Sequence, residues 1–313
     1  MAAPIVTVTP NPAWDVTYEV PALVPGELHR VARVRRRLGG KGVNTARVLS
    51  ALGHRALAVI PGPPDLDHDG RLALDVVPGL PAIRQTLVVQ AADGTTTSLW
   101  EPGQEAAPDL DDRLLARVRV RLRCVPDGPR ARETRPRGSG LVVAGSLPPG
   151  LDDRLPAGLD CGAPVVVDTS GPALAYAAGV PGVVLAPNTA ELSELTGSSC
   201  DDPAKAIAVA RGVLDGGARA VVVTLGERGL AAVTRDGTWY GRLPGPLTGN
   251  PTGAGDAAVA ALVAGLSASR PWPEVVRDAV AASAAAVLSP VAGDVDPAQY
   301  ARLRRQVQVR EVT

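Results

Sequence analysis

Val165-Val-Val-Asp168, Ala173-Leu-Ala-Tyr-Ala-Ala178, Val183-Val-Leu185 and Thr189-Ala-Glu-Leu-Ser-Glu-Leu-Thr196 follow one another with short Gly- and Pro-containing joints, and this stretch decides the fold. Short β-branched runs alternate with segments of helical composition. A run such as Val165-Val-Val, without polar alternation, reads as a strand covered on both faces, as parallel sheets require. Working outward, Ile5–Thr9 precedes a helix over Val43–Leu52, Leu141–Ala144 reads as a strand, and a helix over Ala204–Leu214 precedes the strand Val221–Thr224. This rhythm predicts βαβ units around a mainly parallel sheet, the α/β class.

Two stretches break the rhythm. Thr17–Arg37, and Thr86–Ala91 with Thr95–Leu99 across an Ala92-Asp-Gly94 turn, read as strands with no helix between them. They predict a small separate sheet, either an edge hairpin or a lid over a site beyond the ends of the parallel strands. Residues 124–140, rich in Arg, Pro and Gly, read as a surface loop. The chain carries no repeat of solenoid length.

The chain has 313 residues, enough for a full core in one large domain. Its formal charge is zero, so no global field draws nucleic acid or an anionic membrane, and an anionic ligand must be held locally. Cys124, Cys161 and Cys200 form neither a CxxC pair nor a zinc spacing, which fits a reducing cytoplasm. The sequence shows no export signal and no membrane span. Of its 32 basic residues only Lys41 and Lys205 are lysines, so a lysine here marks more than a need for positive charge.

Two glycine-rich turns precede helices. Thr252-Gly-Ala-Gly-Asp256 runs into the apolar Ala257–Leu266, and inward-turned N–H groups at such a helix start cradle a phosphoryl group. Asp256 beside that cradle is either a helix cap, the commoner role for an isolated Asp, or a base. Leu38-Gly-Gly-Lys-Gly-Val-Asn44 is not a Walker A motif, because Gly42 rather than Ser or Thr follows the Lys. Its glycines, the Lys41 charge and the two-way hydrogen bonding of Asn44 suit a polyol or its phosphate, or else simply cap a helix. Asp65–Gly70 opens like an EF-hand loop, but the twelfth position is Val76 and a calcium site is not expected. Arg33, Arg35 and Arg37 share a strand face leading to Gly39, either solvated or turned to a substrate phosphate.

In order along the chain, Thr9-Pro-Asn-Pro-Ala-Trp-Asp15, Gly39-Gly-Lys-Gly-Val-Asn44, Gly145-Ser-Leu-Pro-Pro-Gly150, Asp168-Thr-Ser-Gly171, Pro187-Asn-Thr-Ala-Glu-Leu192, Thr224-Leu-Gly-Glu-Arg-Gly229 and Asn250-Pro-Thr-Gly-Ala-Gly-Asp256 resemble the ribokinase-like (PfkB) carbohydrate kinases. Within them the chain is most similar to the branch of 1-phosphofructokinase and tagatose-6-phosphate kinase. The resemblance implies one ribokinase-like domain over residues 1–313, with lid strands from about 12–37 and 84–101. It implies ATP-dependent phosphorylation of a sugar phosphate with Mg²⁺, Asp256 being the base and Gly253, Ala254 and Gly255 the anion hole. Asp15, Gly40, Asn44 and Ser146 would hold sugar hydroxyls, with Lys41 and Arg84 near the substrate's phosphate. Asn188 and Glu191 would organise Mg²⁺ and the nucleotide phosphates, and Thr224, Gly226 and Gly229 would line the ATP site. A homodimer through the lid is a further implication.

The departures lie on the nucleotide side and in the lid. Ala186 stands where relatives usually carry Lys, Thr86 where they carry Asn, and Trp100 where Asn precedes Glu-Pro-Gly. The stretch Gly70–Pro81 is short for the helix and strand of the family. These changes leave open a kinase of an unphosphorylated sugar or nucleoside, and a weakened sugar-phosphate sensor. A dinucleotide-binding dehydrogenase fits poorly, since no Gly-x-Gly-x-x-Gly follows a first strand.

Overall fold

Alternate side chains of the valine runs enter two different cores. Val165, Val167, Val183 and Leu185 pack on one face of a sheet, Val166 and Val184 on the other. In the computed structural model, residues 4–68, 70–122, 138–155, 162–289 and 291–312 are described. The strands are β1 (Ile5–Val8), β2 (Ala13–Val20), β3 (Arg33–Gly39), β4 (Ala56–Gly62), β5 (Leu74–Pro78), β6 (Arg84–Ala91), β7 (Thr96–Trp100), β8 (Gly140–Ala144), β9 (Val165–Asp168), β10 (Val183–Leu185), β11 (Ala220–Thr224), β12 (Leu230–Thr234), β13 (Gly237–Arg242) and β14 (Gln308–Glu311). The helices are α1 (Lys41–Ala51), α2 (Leu110–Leu122), α3 (Gly171–Ala178), α4 (Thr189–Thr196), α5 (Pro203–Asp215), α6 (Ala254–Ser267), α7 (Trp272–Val287) and α8 (Pro297–Arg304).

Ten strands form the main sheet in the order β14-β13-β12-β11-β10-β9-β8-β1-β4-β5. Every pair from β11 to β5 is parallel, and β12, β13 and β14 close one edge antiparallel. Helices α2 to α5 cover one face and α1, α6, α7 and α8 the other. From β1 the chain moves to β4 on one side and later returns to β8 on the other, so the sheet order switches at β1/β8. Open α/β sheets bind ligands at the carboxyl ends beside such a switch. The loops after β1, β8, β9, β10 and β11 all leave from that edge.

The expected small sheet is a separate one of four strands, β3-β2-β6-β7, with β2 and β6 parallel and the outer pairs antiparallel. Thr17–Arg37 is two strands joined by irregular chain rather than one extended run. The β6–β7 turn closes with the Gly94 N–H on the Ala91 carbonyl at 3.0 Å, Gly94 having φ +89°. Between β4 and β5 the described residues carry no helix, which accounts for the shortness of that stretch. Strands β12, β13 and β14 went unread in the sequence: Leu230-Ala-Ala-Val-Thr234 is poor in strand formers and is held by pairing with β11.

Arginine is used largely for structure. Asp278, buried on α7, is bound by Arg270 at 2.6 Å and by Arg304, tying the end of α6 to α8. Asp75, buried on β5, is bound by Arg117 and by Arg121 at 2.5 Å, pinning α2 to the sheet edge. The Arg-rich stretch 124–140 falls mainly on 123–137, outside the described residues, as do Cys124 and Cys161; Cys200 is a buried free thiol. His68 accepts from the Gly70 N–H at 3.2 Å, and Asp69 lies outside the described residues. Among the described residues no helix is long and apolar enough to cross a membrane.

Candidate active site

Gly253, with φ +82°, is the N-cap of α6, and Ala254 and Gly255 form its first turn. Asp256 is therefore not the cap: it lies in the helix, three residues past Gly253, and is buried. A Cβ on Gly253 would lie 2.9 Å from the Gly293 nitrogen, so close packing of the segment 292–293 demands glycine there. A Cβ on Gly255 would meet nothing within 4 Å. Open space over an N-terminal helical turn is where an anion can approach the backbone. The Ala254 N–H already reaches the Pro251 carbonyl at 3.2 Å, which leaves it less available than its neighbours.

Asn44 Nδ2 donates to Asp256 Oδ2 at 3.0 Å, bringing the two glycine-rich turns together. Burial pushes the Asp256 carboxyl up to about 7; Asp168 and Asp15 add to the rise, while Lys41 and the Asn44 hydrogen bond oppose it. Helix α1 begins at Lys41, two residues earlier than expected, so Lys41 and Asn44 project from its first turn rather than from a loop. Gly40 (φ +103°) and Gly42 sit against Thr9: a Cβ on either would come within 2.7 Å of that side chain.

Lys41 Nζ donates to Asp168 Oδ1 at 2.7 Å and to Glu191 Oε1 at 3.3 Å. Burial works against this ammonium, but Asp168, Glu191 and Asp256 outweigh it and hold its pKa above the ordinary lysine value. Lys41 thus rests on two carboxylates, on the side expected to face metal and nucleotide. Asp168, at the carboxyl end of β9, was read in the sequence only as part of a motif. Its place beside Lys41 makes it a functional candidate, and no local signal distinguished it from a strand-ending Asp.

Asp15 lies on β2, where the register sets Arg37 and Thr86 on either side of it. Thr86 Oγ1 donates to Asp15 Oδ1 at 2.7 Å. Burial raises the Asp15 pKa, opposed by Thr86 and by the charges of Arg37, Arg47 and Arg84. A Cβ on Gly39 would fall 2.0 Å from Asp15 Oδ2, so the glycine makes room for the carboxylate. Arg84 donates to the Glu101 carbonyl at 3.0 Å, and burial lowers its pKa despite Asp15 and Glu101. Of the four arginines on β3, Arg35 pairs with Glu19 and Arg37 with Asp294 at 2.8 Å. Arg37 Nε and Nη2 and Arg84 Nε are buried with no hydrogen-bond partner. Ser146 accepts from Asn11 Nδ2 at 3.2 Å; the buried Asn11 lies within the Thr9–Asp15 motif, where no local signal marks it as functional.

On the nucleotide side, Asn188 caps α4 through Oδ1 to the Glu191 N–H, and Glu191 Oε2 accepts from the Asn188 N–H, both at 2.9 Å. This capping box fixes Glu191 with Oε1 toward Lys41. The Thr224 N–H donates to the Pro187 carbonyl at 3.0 Å, joining the α4 cap to the end of β11. Gly226 opens a 3₁₀ turn with free space about it, whereas a Cβ on Gly229 would lie 2.1 Å from the Gly241 carbonyl oxygen. Packing alone thus requires Gly229. Ala186 is buried in the core shared with Val184 and α6. A cleft of about 860 Å³ lies away from Asp256, between Glu19, Arg35 and Gln90 of the small sheet and Asn250, Val287 and Leu288. It reaches the glycine cradle only through Asn250.

Residues 156–299 match the pfkB family of carbohydrate kinases, a span that holds Asp168, Glu191 and Asp256 but not Lys41. A 1-phosphofructokinase of Xanthomonas campestris is 32% identical over 293 residues, covering 85% of each chain. Solved structures of Escherichia coli phosphofructokinase-2 superpose with a TM-score of 0.86 at 27% identity in a potassium complex, and 0.81 at 29% in a fructose-6-phosphate complex. Both cover 97% of this chain and 99% of the other. Ribokinase of Arabidopsis thaliana, at 20% identity and a TM-score of 0.69, shares the fold. The glycine cradle at α6, the buried carboxyl within it and the small sheet beside them are thus carried on a ribokinase-like fold, and the chain belongs to the pfkB family of carbohydrate kinases.

Proposed function

We propose that this kinase transfers the γ-phosphoryl group of ATP to a hydroxyl of a sugar phosphate, with Asp256 as general base. The observation that carries the reading is Asp256 itself: buried, with a pKa pushed to about 7, and set at the open N-terminal turn of α6. A base is most useful when its pKa lies near the working pH. Asn44 holds Oδ2 and leaves the other carboxylate oxygen to take the proton of the acceptor hydroxyl. As negative charge builds on the transferring group, the N–H groups of the Gly253–Gly255 turn and the α6 dipole stabilise it without reorganising.

Asp15, Gly40, Asn44 and Ser146 hold the sugar hydroxyls. A substrate phosphate is favoured by the buried, unpartnered guanidinium nitrogens of Arg37 and Arg84, whose charges both reach Asp15. Buried donors call for an acceptor, and a phosphate satisfies several at once. The names of the relatives, a 1-phosphofructokinase and a phosphofructokinase-2 solved with fructose-6-phosphate, point to the same class. Fructose 1-phosphate and tagatose 6-phosphate are the first candidates.

The donor set also suits Mg²⁺. Asp168 and Glu191 already converge on one cation, the Lys41 ammonium, and no group of three or more His, Cys, Asp or Glu gathers among the described residues. Two carboxylates with water and phosphate oxygens are a typical Mg²⁺ shell. The ion would neutralise charge on the nucleotide phosphates. Thr224 and Gly226 line the ATP side. The small sheet acts as a lid, and its exposed Val34, Leu99 and Trp100 suit contact with a second copy.

The test is a coupled ADP-release assay with Mg·ATP across sugars, sugar phosphates and nucleosides. Acceptor-dependent release, fastest with a ketohexose phosphate, is expected. No release with any acceptor would sink the reading in favour of a sensor.

A further inference from the structure

Lys41 stands between two carboxylates, Asp168 and Glu191. Its Nζ lies 2.7 Å from Asp168 and 3.3 Å from Glu191, and the lysine side chain is 36% exposed against 6% and 14% for its partners. Two enclosed carboxylates repel one another unless a cation stands between them. The other buried carboxylates in ion pairs among the described residues, Asp75 and Asp278, are each clamped by two arginines. Arginine makes a planar, forked, fixed contact, whereas lysine is a compact charge on a flexible stem that can leave without breaking a fork. Where the fold needs a permanent clamp it uses arginine, and at this pair of carboxylates it uses one of only two lysines in the chain.

Resting on the proposed reading of Asp168 and Glu191 as the metal side, we propose that Lys41 is an exchangeable internal cation. It holds the two carboxylates together while nucleotide is absent and yields them to the divalent ion that arrives with ATP. Its freed ammonium then turns to the phosphoryl oxygens. Lys41 begins α1, and Asn44, the partner of Asp256, is in the next positions of that turn, so the exchange takes place beside the base. Glu191 keeps its place throughout, because its other oxygen is held by the α4 cap.

The consequence is weak metal binding without nucleotide, caused by Lys41. Titration of Mn²⁺ into nucleotide-free protein, followed by the electron paramagnetic resonance of free Mn²⁺, reads this independently of turnover. Lys41→Met is expected to bind Mn²⁺ about tenfold or more tightly than the wild type, a change of roughly 1.4 kcal/mol or more. Lys41→Arg, which keeps a cation in place, should show no gain, and Lys41→Met/Asp168→Asn should lose it. Equal Mn²⁺ affinity in Lys41→Met and wild type overturns the proposal, as does a gain that survives Asp168→Asn. A failure of the kinase reading would show separately, as absent ADP release by the wild type.

Discussion

Asp256 and Glu191 occupy the same local position, the third residue of a helix, yet they end up in opposite states. Glu191 follows Asn188, and the two side chains close a capping box within three residues of each other. Asp256 follows Gly253, which has no side chain to offer, and its partner is Asn44, 212 positions away. An acid that completes its own cap is fixed in place near the positive end of the helix dipole. An acid behind a glycine cap is left to the tertiary structure, which here buries it and raises its pKa to about 7. One helical position thus holds a carboxylate fixed by its own cap in α4 and a buried acid with a raised pKa in α6, the contrast on which the proposed roles rest.

The sharpest attempt to break this contrast is Asp256→Asn, expected to lower kcat about a thousandfold with little change in either KM, as loss of a general base does. Largely retained ADP release would remove the base assignment. Next comes Gly39→Ala, whose added carbon would fall on Asp15: KM for the sugar phosphate should rise roughly a hundredfold while KM for ATP stays near wild type. A parallel rise in both would show that the two sides are not separable.

The pH profile sharpens the contrast further. If Asp256 is the base, protonation disables it, and kcat/KM should fall roughly tenfold per pH unit below about pH 7. Because the Asn44 hydrogen bond lowers the Asp256 pKa, Asn44→Ala should move the inflection to higher pH. The folded pKa is raised above its unfolded value, so stability from this group is full below the unfolded pKa of 3.8 and is lost as pH rises through about 7. Asp256→Asn should therefore raise Tm more at pH 8 than at pH 5. Arg37→Ala is expected to raise KM about tenfold for a phosphorylated sugar, the value of a charge-assisted hydrogen bond, and little for its unphosphorylated counterpart. The smallest effect belongs to the local side: Asn188→Ala should cost ~1 kcal/mol of stability, read by thermal unfolding, through loss of the cap.

The parallel core was legible because each Val-rich run is a strand by itself, with both faces covered. The capping residues Asn188 and Glu191 were legible as a pair one turn apart, though their mutual cap was not. The edge strands β12 to β14 were not, since ladder pairing rather than composition holds them. In the site, Asp15 and Asn44 came from motifs, but Asp168 and Asn11 gained meaning only from Lys41 and Ser146, 127 and 135 positions away.

By itself the sequence determined the strand and helix periods, the glycine turns and the order of motifs, all of which rest on neighbours within a few residues. Only the tertiary structure decided that Asp256 is a buried acid rather than a cap, that Lys41 rests on two carboxylates, and that Arg37 and Arg84 keep unpartnered nitrogens beside Asp15. Charge, desolvation and hydrogen bonding between side chains depend on distance in space, and the sheet switch at β1/β8 sets those distances.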